Sequence, residues 1–102
     1  MKERALIVDD DPELLLILKR YLENRGFEAV LAEDGEKALA AAAAAKPDII
    51  ITDVDMPNMD GFTLCRRIKE SRALCETPLI IMSGKKISDG DMVSGYSFGA
   101  DD

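Results

Sequence analysis

Three short apolar runs in this chain stop abruptly at polar groups. Ala5-Leu6-Ile7-Val8 ends in Asp9-Asp10-Asp11, Ile49-Ile50-Ile51-Thr52 ends in Asp53, and Leu79-Ile80-Ile81-Met82 ends in Ser83. Apolar residues at successive positions, without the alternation of a half-wet strand, are the pattern of strands covered on both faces. A weaker strand pattern spans Phe27 to Leu31. Helical segments lie between these runs, with no internal repeat and no linker. The class this constrains is α/β: a parallel, doubly wound sheet with helices on both faces. Ligands of such sheets sit beyond the carboxyl ends of the strands, where the strand order reverses. Asp9, Asp10, Asp53 and Ser83 are all expected at that edge.

The helix boundaries are written in local chemistry. Asp11-Pro12-Glu13 predicts an N-cap, a Pro at the first helical position and an acid in the first turn. Leu14, Leu15, Leu18 and Leu22 then form one apolar side, with Lys19, Arg20 and Glu23 towards solvent, and Gly26 is placed just past the helix end. Asp34-Gly35-Glu36 opens a second helix running to Ala45. Its six alanines, 40 to 45, predict a thin helix packed close against the sheet. Lys46-Pro47-Asp48 ends it. A third helix is expected from about Gly61 to Glu70 with Phe62, Cys65 and Ile68 in the core, and a short fourth around Asp89 to Phe98.

The length of 102 residues suits one small domain, 1–102. A net charge of −7 disfavours non-specific contact with nucleic acid or anionic membrane. No basic recognition helix is present to read DNA directly. The apolar runs are too short to span a bilayer. Cys65 and Cys75 have no metal-type spacing, and no signal-peptide pattern precedes them. Two reduced thiols in a cytoplasmic protein are therefore expected. Histidine is absent, so imidazole acid–base chemistry and imidazole metal sites are excluded for this sequence.

Asp9, Asp10 and Asp53 brought within a few ångströms could not all stay ionised without a counterion. Mg²⁺ suits such a group, because it prefers oxygen ligands and bridges carboxylates to phosphate. A carboxylate can also attack phosphorus, and a hydroxyl such as that of Ser83 can donate to a transferring phosphoryl group. Plainer roles fit the other polar residues: Asp11 and Asp60 as helix caps, Lys85 and Lys86 as a solvated loop pair, Met56 and Met59 as packing. A Ca²⁺ loop starting at Asp53 fails, because Pro57, Asn58 and Leu64 would stand where a ligand, Gly and Glu are needed.

The blocks "LIVDDDP", "DIIITDVDMPNMDGF", "TPLIIMSG" and "GADD", in that order, span the chain. With them the sequence resembles the receiver (chemotaxis-type) domain of bacterial two-component response regulators. The resemblance implies a flavodoxin-like sheet whose four strands here would be ordered 2-1-3-4. It also implies that Asp53 is the phosphoacceptor for a sensor histidine kinase or phosphotransfer protein. Asp10 would be a direct Mg²⁺ ligand, together with Asp53 and the backbone carbonyl of Asp55, with Asp9 acting through water. Ser83 would be the switch hydroxyl, and Gly84 would leave room for the phosphodonor. In the family, "GADD" leads into a fifth strand ending in Lys-Pro and then a fifth helix. Neither lies within residues 1–102, so both are expected to be missing, and with them the Lys that pairs with the phosphoryl group. That contact is worth roughly 1.5–3 kcal/mol as a hydrogen bond to a charged group. The fourth strand would then present an apolar edge, and either self-association through it or a rearranged C-terminal segment is expected.

Two other readings carry distinct consequences. "DVD" at 53–55 also fits the Asp-x-Asp of haloacid-dehalogenase-type phosphatases, although Met56-Pro57 follows where that family tends towards Gly-Thr, and the motif there lies in the first strand. A pseudo-receiver would keep the fold and signal by contact alone, without phosphorylation.

Overall fold

The computed structural model describes residues 2–82. Its elements run β1 (Arg4–Val8), α1 (Pro12–Asn24), β2 (Glu28–Ala32), α2 (Gly35–Ala45), β3 (Ile49–Asp53), α3 (Gly61–Glu70) and β4 (Leu79–Met82). Among the described residues the strands form one sheet in the order β2-β1-β3-β4, every pair parallel. This is the expected order. The short fourth helix and Ser83 expected from the sequence lie outside the described residues.

Two cores explain the unbroken apolar runs. Leu6, Val8 and Ile50 face α2 and α3, packing with Ala38, Ala42, Leu64, Cys65 and Ile68. Ala5 and Ile7 face α1, packing with Leu15 and Leu22. Every residue of β1 after Arg4 is thus needed on one face or the other, which leaves no position for a polar side chain. Fully burying one such aliphatic side chain contributes roughly 1.5–3 kcal/mol.

The caps follow the sequence closely. Asp11 accepts from the N–H groups of Glu13 and Leu14, Asp34 from that of Lys37, and Asp60 from that of Thr63. Gly26 follows α1 with φ +93°, a conformation that a side chain would strain. In α2, Ala38 and Ala42 are wholly buried and bring that helix onto the sheet, while Ala40, Ala43 and Ala44 of the alanine tract face solvent. Two core assignments shift. Phe62 is only half-buried, and Leu64 takes the buried place beside Cys65 and Ile68, because α3 turns its Gly61–Leu64–Cys65–Ile68 stripe inward. Leu14 is likewise half-buried, while Leu15 and Leu22 carry the contact. Cys65 is buried and Cys75 exposed, and neither is in a disulfide. Among the described residues, no helix is long and apolar enough to cross a membrane.

Candidate functional site: a carboxylate cluster at the sheet edge

Strand register brings the acidic residues together. Val8 of β1 pairs with Thr52 of β3, so the chain's next residues, Asp9 and Asp53, emerge side by side at the carboxyl edge. Asp10 follows on the rim. One carboxylate oxygen from each of Asp9, Asp10 and Asp53 lies within 4.8 Å of the others, with Asp9 and Asp53 buried and Asp10 exposed. At an effective dielectric of ~20, two unit charges at that separation repel by about 3 kcal/mol.

Backbone groups fix the two buried carboxylates. The Asp11 N–H donates to Asp9 Oδ1 at 2.9 Å, and the Asp9 N–H donates to the Ala32 carbonyl at 3.1 Å. The Val54 N–H donates to Asp53 Oδ1 at 2.8 Å and also reaches the Met82 carbonyl at 3.0 Å. The Thr52 hydroxyl donates to the Asp53 carbonyl at 3.1 Å. Asp53 is therefore oriented by the peptide that follows it, and that peptide is itself tied to β4.

Burial pushes the Asp9 carboxyl up to about 6, aided by the charges of Asp53 and Asp10 and opposed by the Asp11 N–H. A carboxyl that resists ionisation beside two others marks a site short of positive charge. A hard divalent cation with oxygen ligands fits that donor set, and among the described residues Asp9, Asp10 and Asp53 are the side chains placed to hold it.

The other expected participants are placed as follows. Asp55 is exposed beside the cluster and lines an open groove of about 380 Å³ with Asp10, Met56, Pro57 and Asp60. Asp60 caps α3, as expected. Met59 is buried in the core, in keeping with a packing role. Ser83, Gly84, Lys85 and Lys86 lie outside the described residues.

Sequence reasoning gave no role at the site to two glycines. Gly61 opens α3 so close to the end of β3 that a Cβ there would collide with the Asp53 carbonyl oxygen and lie 3.1 Å from Val54 Cα. Gly35 opens α2 directly against the side chain of Met59. Each follows a capping Asp, and the capping signal accounts for the Asp-Gly pair without revealing what the glycine touches.

A parallel α/β sheet with buried carboxylates on adjacent strand ends defines a doubly wound module whose chemistry lies at its carboxyl edge. Comparison with known proteins narrows that class. Residues 5–102 match the response regulator receiver domain family, and the chain belongs to it. It is 34% identical over 102 residues to the alkaline phosphatase synthesis transcriptional regulatory protein PhoP of Bacillus subtilis, covering all of this chain and 41% of PhoP. It is 39% identical over 102 residues to the response regulator PleD of Caulobacter vibrioides, covering 22% of that protein. The chain thus spans less than half the length of these relatives. Among solved structures, the chemotaxis response regulator CheY4 of Vibrio cholerae aligns with a TM-score of 0.87 and 31% identity, over 98% of this chain and 82% of that one. The receiver domain of a signal transduction histidine kinase from Syntrophus aciditrophicus aligns with a TM-score of 0.85 and 36% identity, over 98% of this chain and 75% of that one.

Proposed function

We propose that residues 1–102 act as one receiver unit that accepts a phosphoryl group on Asp53 from the phosphohistidine of a sensor histidine kinase or phosphotransfer protein. The observation that carries this reading is the packing of Asp9, Asp10 and Asp53 at the carboxyl edge of the sheet. In the transfer, an Asp53 carboxylate oxygen forms the new O–P bond as the P–N bond of the donor breaks. The electron pair of that bond returns to the imidazole nitrogen, which takes up a proton. Residues 1–102 contain no histidine, so the donor imidazole lies outside them. The Val54 N–H holds the Asp53 carboxylate in one orientation, so the nucleophile is set before the donor arrives.

Mg²⁺, when bound, would neutralise charge on the transferring group. Asp10 and Asp53 are its proposed direct ligands, with the Asp55 carbonyl, and Asp9 acts through water. Ser83, next after β4, is the proposed switch hydroxyl. The role is that of a cytoplasmic signalling phosphoacceptor, with self-catalysed phosphorylation and dephosphorylation as its only chemistry. Direct contact with nucleic acid or membrane forms no part of it. Self-association through the outer edge of β4 belongs to the same reading. Among the described residues that strand pairs only with β3, and its Ile80 and Met82 are half-exposed.

The test is incubation with Mg²⁺ and acetyl phosphate, read by intact mass. The expected result is gain of one phosphoryl group in wild type and none in Asp53→Asn. A wild type that gains no mass, or an Asp53→Asn variant that gains the same mass, refutes the assignment.

A further inference from the structure

The loop from Val54 to Asp60 is fastened at two places, and only one of them is the backbone. Its ends are closed by the Gly61 N–H, which donates to the Val54 carbonyl at 2.8 Å. Its middle is fastened by a side chain. Met59 is 8% exposed, whereas its neighbours Asn58 and Asp60 face solvent. The Met59 N–H donates to the Pro57 carbonyl at 2.8 Å across Asn58, whose φ is +70°. That is the hydrogen-bond pattern of a γ-turn, a strained conformation for a residue with a side chain. The turn aims Met59 inward, on to Gly35, the first residue of α2. A Cβ on Gly35 would stand 2.7 Å from Cβ and Sδ of Met59 and 2.8 Å from Cγ, so the side chain lies flat on the Gly35 backbone.

The segment that receives Met59 also holds the acidic pair. The carbonyl of Ala32, three residues before Gly35, accepts the Asp9 N–H. The turn from Ala32 to Gly35 is therefore gripped on one side by the residue that starts the carboxylate cluster. On the other it is gripped by the loop that carries Asp55, Met56 and Pro57. Asp10, Asp55 and Pro57 line the same groove, so its two walls belong to the two segments that meet at the Met59–Gly35 contact.

We infer that Met59 seated on Gly35 is a positioning contact. It sets the spacing between the β3–α3 loop and the Asp9–Asp10 pair, and through that spacing the affinity of the site for Mg²⁺. The inference rests on the proposed function and assigns it a determinant outside the residues that would touch the metal. Groups hydrogen-bonded to metal ligands commonly change affinity by ~10–100-fold when removed, and a contact one step further out is expected at the low end of that range.

The full chain would be titrated with MgCl₂ by calorimetry, with melting temperature recorded separately in EDTA. Met59→Ala should weaken Mg²⁺ binding by about tenfold, at the lower end of that range. Met59→Leu, which refills the space, should restore wild-type affinity. Gly35→Ala should weaken binding by the opposite route, pushing Met59 out while leaving every atom of it present. Leu22→Ala, in the core on the α1 face, should lower the melting temperature and leave the Mg²⁺ affinity unchanged. If Met59→Ala melts lower but binds Mg²⁺ as wild type does, the contact is packing alone and the inference is overturned. A wild type that binds no Mg²⁺ overturns the proposed function and this inference together, so the two failures are distinct.

Discussion

Gly61→Ala tests whether α3 is docked on the backbone of the proposed phosphoacceptor. The substitution is ordinarily helpful at a helical position. Alanine restricts the unfolded chain and favours helix, together worth about 0.4–1 kcal/mol. No positive φ is recorded at Gly61, so backbone conformation offers no objection. The objection is space. The new methyl would collide with the Asp53 carbonyl oxygen and stand 3.1 Å from the Asp53 carbonyl carbon and from Val54 Cα. All of these are backbone atoms, and none can turn aside as a flexible side chain would.

Relief requires either α3 to back away or the Asp53–Val54 peptide to move. The first breaks the Gly61 N–H bond to the Val54 carbonyl and lifts Leu64, Cys65 and Ile68 from the core. The second disturbs a peptide whose N–H is shared between Met82 and Asp53 Oδ1. Overpacking of this kind costs typically 1–3 kcal/mol. Against a gain of at most about 1 kcal/mol, the net expectation is a loss of about 1–2 kcal/mol. For a domain of this size that lowers the melting temperature by roughly 5–15 °C. Thermal melts by circular dichroism measure that loss, and a slower rate of labelling by acetyl phosphate would report displacement of the Asp53–Val54 peptide. A variant that melts at or above wild type and is labelled at the wild-type rate refutes the close-approach argument.

The remaining predictions draw on separate parts of the structure. Asp9 carries a folded-state value of about 6 against 3.8. Its carboxyl contributes no penalty below pH ~4, a growing penalty as pH rises to about 6, and a constant one above. The full shift corresponds to about 3 kcal/mol, which the wet rim beside Asp10 reduces to about 1–2 kcal/mol. Asp9→Asn keeps an oxygen for the Asp11 N–H. It should therefore be more stable than wild type at pH 7.5 in EDTA, with the gap closing near pH 4, and equal stabilities at both pH values in denaturant titrations would count against it. Adding Mg²⁺ should raise the wild-type melting temperature by mass action and raise that of Asp9→Asn less. Ala38→Leu should cost about 1–3 kcal/mol in urea unfolding, because that alanine is wholly buried where α2 meets the sheet; a neutral result would mean that α2 can lift freely.

The fold was legible because each level of the sequence repeats the same message. In β1, alternate residues serve opposite cores, so the run from Ala5 to Val8 had to be apolar throughout and could be read as a doubly covered strand. Asp11, Asp34 and Asp60 each make the capping bond that their positions imply. Phe62 does pack against the core, but from its half-buried margin, and Leu64 completes the buried stripe with Cys65 and Ile68. Helical spacing assigns a stripe but not its exact rotation.

The site was legible only in part, and the boundary has a physical origin. Carboxylates stand out in a sequence because burying them is costly, so Asp9 and Asp53 announce themselves at the ends of apolar strands. Glycines that permit close approach announce nothing. What makes Gly35 and Gly61 necessary is an atom supplied by a distant part of the chain, Met59 in one case and the Asp53 carbonyl in the other. Periodicity and capping rules act within a few residues and contain no term for such contacts. The spacing of a carboxylate cluster, however, depends on how closely the surrounding backbones can come together. The acidic residues supply the charge, and the two glycines let Met59 lie against the start of α2 and let α3 begin against the Asp53 backbone, beside the edge where that charge is gathered.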